Sequence, residues 1–424
     1  MYRKIIEFTK KSSKELYEAS EDIIKWSFIS LIVGGVVGFG VGYALNLLEA
    51  SIEHQSELSI LLLPIVLASS GYLLHRYFKE ASADGTEEIV RAAIYNDPRL
   101  NFFRFALKQI ATFVTIVFGG SAGKEAPSAQ MGAYFSLLIS KLFLVGAKER
   151  IIIIIAGTSA GFAVVFGSPI AAGFFALEAL FAGRILYRVL VPSFIASFVA
   201  YWIMHILDVE FFYHPVTVGL IPNFWEIVNI SKTVIAGIFF GLLSYFVILS
   251  MNAADKMAKS DFLHPFLKGL LGGAVILFLA IFAGDRYLGL GLESIEVAFY
   301  EDFRFGWEDP LLKTLFTFLT LGSGGSGGFV TPIFFIGATS GNWIAHVLDA
   351  KVSLFAALGF VSVLSGSTNS PIASTILAAE LFGVEVAHFA AVTATISYLI
   401  SSKKSVFSPE VIEVIEIKFK KHIS

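Results

Sequence analysis

GGSAGKEAPSAQMGA, Gly119 to Ala133, and GGSGGFVTPIFFIGA, Gly324 to Ala338, are two copies of one segment set 205 residues apart. Seven of the fifteen positions are identical: four Gly, one Ser, one Pro and the closing Ala. A second doublet follows in the same order. GSPIAAGFFALEA, Gly167 to Ala179, returns as NSPIASTILAAEL, Asn369 to Leu381, at a shift of 202. Its copies share Ser-Pro-Ile-Ala, a later Ala, and a Glu nine residues after the Pro. Two ordered doublets at nearly one spacing mean that half of the chain was duplicated. In a membrane chain, Gly- and Pro-interrupted segments at matching places in two halves point to a transport site between the repeats.

The composition is that of a membrane protein. Of 424 residues, 56% are apolar and only 15% charged, against roughly a quarter charged in soluble domains. The mean hydropathy is +0.75. Ser27 to Leu48 is uncharged and long enough to cross about 30 Å of hydrocarbon. The charged segment before it is too long and too polar for a cleaved signal. The chain has no Cys, which excludes disulfides, thiolate metal sites and cysteine nucleophiles. No metal, cofactor or nucleic-acid site is expected. Basic residues cluster at both ends: Arg3, Lys4, Lys10, Lys11, Lys14 and Lys25, then Lys403, Lys404, Lys418, Lys420 and Lys421. The positive-inside rule places both termini in the cytoplasm of a multi-pass cell-membrane protein.

The expected organisation is a cytoplasmic amphipathic helix over 1–26, a first transmembrane repeat over 27–215, a second over 216–410, and a cytoplasmic tail over 411–424. The join between halves is expected at His214 to Pro222. Many of the apolar stretches between are shorter than the roughly 20 residues of a full crossing. They read as half-helices or tilted helices of an all-α fold, with breaks that survive only when buried in protein or lining a cavity.

A Gly-rich turn that opens a helix leaves backbone N–H groups without intrahelical partners, at the positive end of the helix dipole. Gly123 to Glu125 opens one such helix and Gly328 to Val330 the other. Pro127 and Pro332 fall in the first turns, where a missing N–H costs least. Two such ends, one per repeat, can converge on one anion. The copies differ at one place: Lys124-Glu125 stands where the second copy has Phe329-Val330. A carboxylate at the mouth of an anion site can occupy it, and protonation or displacement opens it to a free anion. This makes Glu125 a gate and proton carrier. The competing reading is a Glu that only caps its helix.

On these residues the chain resembles the CLC family of chloride channels and proton-coupled anion exchangers. GKEAP is similar to the family's G-[KR]-E-G-P, and GGFVTP to its G-G-x-F-x-P; GSPIAAGFFALE resembles the segment after the first motif. The resemblance implies two inverted-topology repeats of tilted or discontinuous helices, about eighteen in all, and a homodimer in the lipid bilayer with one pore per subunit. It makes Glu125 the gating glutamate and proton carrier. It puts Gly123, Lys124, Phe329 and Val330 at the anion site. The family's anion-coordinating serine falls near Ser82 or Asp84, and its pore tyrosine falls on Phe407. Exchangers usually carry an internal proton glutamate directly after the position of Glu178, where this chain has Ala179. Glu178 is then either an inner proton path or, with its counterpart Glu380, a ligand of helix-end backbone. The expected cargo is a small anion, chloride by default, with bromide or nitrate also admissible. A fluoride/proton exchanger is the sharper alternative, because a fluoride subfamily has a related segment around Val330 to Ala338. A passive chloride channel remains open.

A different class is also testable. Gly324-Gly325-Ser326-Gly327 matches the G-x-S-G of intramembrane serine proteases, Gly157 to Gly161 matches G-x-S-x-G, and His346 could serve as base. Such an elbow needs a preceding strand. An inert scaffold is the third reading, and it leaves the Lys124-Glu125 asymmetry without a purpose.

Overall fold

In a computed structural model, residues 2–55, 57–77, 86–97, 100–180, 187–209, 222–401 and 405–406 are described. Among them the chain forms seventeen α-helices and one 3-10 turn, with no strand. The first half contains α1 (Tyr2–Glu53), α2 (Glu57–Ile60), α3 (Leu63–Tyr77), α4 (Thr86–Tyr95), α5 (Phe102–Val117), α6 (Glu125–Leu142), α7 (Ala147–Phe166), α8 (Pro169–Leu180) and α9 (Tyr187–Ile206). The second contains α10 (Ile227–Lys259), α11 (Pro265–Ala283), α12 (Leu292–Val297), α13 (Asp309–Gly322), α14 (Val330–Val347), α15 (Val352–Thr368), α16 (Pro371–Phe382) and α17 (Val386–Ile400). The expected join at 214–221 lies outside the described residues. Helix α1 runs past residue 26 without a break, so the boundary expected there is one of composition and not of backbone.

The duplication reappears as packing. In the first half α7 sits at the centre, against α1, α6, α8 and α9; in the second, α15 sits against α10, α14, α16 and α17. Across the halves, α3 packs on its counterpart α11, and α8 on α16. Like elements meeting like elements is the signature of a pseudo-twofold axis. Among the described residues five helices are long and apolar enough to cross a membrane: Ile24–Glu53, Glu149–Phe166, Arg188–Ile206, Ile227–Lys259 and Pro265–Ala283. Helices α8, α15, α16 and α17 are apolar but shorter, as the interrupted stretches predict.

Close helix crossings explain particular glycines. A Cβ on Gly132 would strike the carbonyl of Gly157, and one on Gly337 would strike the carbonyl of Gly359. Such contacts let α6 lie tight on α7, and α14 on α15, where lipid supplies no hydrophobic drive between helices. Helices α7 and α15 each end in a left-handed residue, Gly167 at φ 64° and Asn369 at φ 59°. Gly meets no steric cost there, and Asn tolerates it better than most residues do.

Candidate functional site

The two Gly-rich turns meet back to back. Gly123 N–H donates to the Gly328 carbonyl at 2.6 Å, and Gly328 N–H donates to the Gly123 carbonyl at 2.9 Å. Around this pair, hydrogen bonds come as counterparts. Ser121 N–H donates to Thr320 Oγ1 at 3.1 Å, and Ser326 N–H to Thr115 Oγ1 at 3.2 Å. Ser121 Oγ lies 2.9 Å from Thr317 Oγ1, and Ser326 Oγ lies 2.8 Å from Thr112 Oγ1. These buried bonds satisfy irregular backbone and hydroxyls at membrane depth, which lipid could not do.

Glu125 opens α6 and is 3% exposed. Its carboxylate reaches across to α14 of the other repeat. There it accepts from Thr331 N–H at 3.0 Å and from Thr331 Oγ1 at 2.5 Å. The Glu125 carboxylate therefore sits in a donor set built by the opposite helix end. Hydrogen bonds to a charged group contribute about 1.5–3 kcal/mol each, and a partly buried helix terminus up to ~2 kcal/mol. Removing a carboxylate from water costs several kcal/mol. These terms are of similar size, so the carboxylate is held with little net gain.

A cavity of about 360 Å³ adjoins the Glu125 carboxylate, lined among others by Glu49, Lys124, Phe166, Thr331, Phe334 and Phe360. Phe334 and Phe360 stack with centroids 3.9 Å apart, and Phe166 meets Phe334 edge-on at 5.9 Å. Lys124 Nζ binds Glu49 Oε1 at 2.7 Å. A second cavity of about 620 Å³, with Glu53, Asp285 and Arg286 in its walls, shares Glu49, Leu292 and Glu293 with the first. The Glu125 cavity thus adjoins the larger one at Glu49, Leu292 and Glu293.

Of the expected site residues, the structure brings Gly123 and Glu125 together with the end of α14. Lys124 lines the same cavity, but its charge is taken by Glu49. Phe329 and Val330 are buried at the start of α14; the donor to Glu125 is the next residue, Thr331, which the sequence reading missed. A signal existed: Ala126 is its counterpart in the first repeat, so Thr331 is a hydroxyl gained at the mouth of the other helix. Ser82, Asp84 and Phe407 lie outside the described residues. Glu178 stands apart from Glu125: it accepts from Ile372 N–H at 3.3 Å and Ala373 N–H at 2.7 Å, at the start of α16. Glu380 does the same for α8 through Ile170 and Ala171.

The protease geometry fails. Ser326 Oγ is buried against Thr112, while His346 sits in the last turn of α14. Helix α14 has 18 residues, which places its two ends roughly 27 Å apart at 1.5 Å per residue. Ser159 lies inside α7, with no elbow.

Three comparisons bear on this arrangement. The sequence profile of the family described as voltage gated chloride channel matches residues 65–402. A chloride/fluoride channel protein of Pseudomonas syringae pv. tomato is 32% identical over 399 residues, covering 91% of this chain and 86% of the relative. The crystal structure of a CLC-type fluoride/proton antiporter superposes with a TM-score of 0.81 at 28% identity, over 92% of this chain and 97% of the other. A slow cyanobacterial Cl⁻/H⁺ antiporter superposes at 0.74 with 17% identity, over 94% and 99%, a likeness of fold.

Proposed function

The chain belongs to the CLC family of anion transporters, and on that premise we propose that it exchanges a small halide, fluoride before chloride, for protons through a pore gated by Glu125. One observation carries the reading: the Glu125 carboxylate sits in the Thr331 donor set of the opposite repeat, where a free anion would sit. A carboxylate that alternates with the anion in one seat can carry a proton when it leaves, which couples the two fluxes. The seat closes around an oxygen atom, and fluoride is close to oxygen in size while chloride is larger. Phe166, Phe334 and Phe360 line the cavity beside this seat, a wall that places no full charge in the membrane. The relative named for chloride and fluoride, and the fluoride/proton antiporter, support the same choice.

In this reading the wide mouth at Glu49 and Asp285 faces outward, both termini are cytoplasmic, and the protein works as a homodimer in the cell membrane. Reconstituted vesicles with opposed halide and pH gradients supply the test. The reversal potential is expected to be displaced from the halide Nernst value, and more halide to move with fluoride than with chloride. Glu125→Gln is expected to abolish proton movement and retain halide flux. A reversal potential at the halide Nernst value, or proton pumping by the Gln variant, would overturn the reading.

A further inference from the structure

The chain lacks the second carboxylate that would bring protons in from the side opposite Glu125, yet one side of that region carries hydroxyls that its repeat counterpart lacks. In the second repeat, Ser362, Ser365, Ser367, Thr368 and Ser374 stand where the first repeat has Ala160, Ala163, Val165, Phe166 and Ala172. All five are buried. Ser362 and Ser365 tie α15 to α17, through Thr393 Oγ1 at 2.7 Å and the Ala394 carbonyl at 2.8 Å, whereas Thr368 faces Ser370.

A hydrogen bond differs at the same place. Glu380 is held at the start of α8 by three donors: Ile170 N–H, Ala171 N–H and the Ser168 hydroxyl. Its counterpart Glu178 is held at the start of α16 by only the two backbone donors, Ile372 and Ala373. The third should be Ser370, the counterpart of Ser168. Instead Ser370 Oγ lies 2.6 Å from Thr368 Oγ1, the hydroxyl that replaces Phe166. Thr368 already donates to the Leu364 carbonyl at 2.7 Å, so Ser370 is the donor in this pair. Rotation about χ1 between staggered wells would turn the Ser370 hydroxyl from Thr368 to Glu178, the arrangement its counterpart adopts.

Thr368 is fully buried, and its repeat counterpart Phe166 lines the Glu125 cavity. Phe360 lines the Glu125 cavity, and Leu364 and Thr368 follow on the same stripe of α15 at four-residue steps, about 12 Å further along. Inverted symmetry puts this end of α15 on the far side from the wide mouth. Ser405 Oγ and Val406 N–H both donate to the Ser367 carbonyl, at 3.4 and 2.9 Å. The residues just before Phe407 therefore cover this junction.

We propose that Ser370 is a two-position hydroxyl that passes protons between the Glu178 carboxylate and Thr368, and so forms the inward proton route to the Glu125 pathway. The proposal rests on the exchange reading above. Part-way through that rotation Ser370 Oγ lies between the two groups, and the Glu178 carboxyl gives it a proton as Ser370 gives its own proton to Thr368 Oγ1. Thr368 turns its hydroxyl away from the Leu364 carbonyl and releases its proton to a water molecule in the pathway, from which Glu125 takes it up. One proton enters and one leaves, only O–H bonds form and break, and Glu178 returns to a carboxylate held by the two α16 amides.

Paired halide and proton electrodes on vesicles of the full chain test this with Ser370→Ala and Thr368→Val. Proton flux is expected to fall about tenfold or more, the scale of a positioned proton-transfer group, with a lower proton-to-halide ratio. Ser370→Thr restores the ratio, and Ser168→Ala leaves it unchanged. Two separate variants guard against a folding defect in either. An unchanged ratio in both, or an equal slowing of protons and halide, overturns the relay alone. A wild-type chain that moves halide without protons overturns the exchange reading and the relay with it.

Discussion

Thr331 is the residue on which the proposed gate depends. Its amide and hydroxyl hold the Glu125 carboxylate at 3.0 and 2.5 Å, and the same two donors would hold a halide. Removing the hydroxyl should cost about 1.5–3 kcal/mol of anion binding, roughly ten- to hundredfold in affinity. Thr331→Val in a Glu125→Gln background should weaken fluoride binding by that factor in titration calorimetry, and Thr331→Ser should restore it. Equal affinity in the Val variant would show that the hydroxyl serves the gate and not the anion. Gly123 matters for the same seat: a Cβ there would lie 2.9 Å from both Thr331 N and Thr331 Oγ1, crowding the donors themselves.

At the scale of helices, the glycines divide into those that set a crossing and those that do not. A Cβ on Gly337 would meet the Gly359 backbone and the Cα of Phe360 at 2.9 Å, whereas one on Gly35 in α1 meets nothing within 4 Å. Overpacking of a tight contact costs typically about 1–3 kcal/mol, while Gly to Ala in an open helix position gains up to ~1 kcal/mol. Gly337→Ala should therefore lower the melting temperature in detergent, and Gly35→Ala should leave it unchanged or raise it. The reciprocal carboxylates act at this scale too. Glu178 and Glu380 each complete the start of the facing short helix, where orphan N–H groups would otherwise lie buried. Helices α8 and α16 are too short to span alone and are held by one another.

For the whole molecule, the arrangement predicts sidedness. The wide mouth contains Asp285, and the opposite junction is covered by Ser405. The chain has no Cys, so single cysteines report without background. In intact cells a membrane-impermeant maleimide should label Asp285→Cys from outside, and should label Ser405→Cys only after permeabilisation. The reverse pattern would invert the orientation drawn from the basic termini. The sidedness also decides which flux Glu125 meets first and from which side the Ser370 relay would load.

Much of this was legible in the residues. The doublets showed a duplicated half, the interrupted apolar runs showed short helices, and Lys124-Glu125 against Phe329-Val330 marked where the two helix starts differ in charge. Spacing along a chain encodes which helix ends exist, because Gly, Pro and apolar length act locally. It does not encode which ends touch. Only the tertiary structure decided that Gly123 pairs with Gly328, that Glu125 is held by Thr331 and Lys124 by Glu49, and that Glu178 and Glu380 exchange helices. Each of these contacts joins residues far apart in sequence. Their partners are fixed by the crossing of packed helices about a pseudo-twofold axis, a long-range property that no local pattern carries.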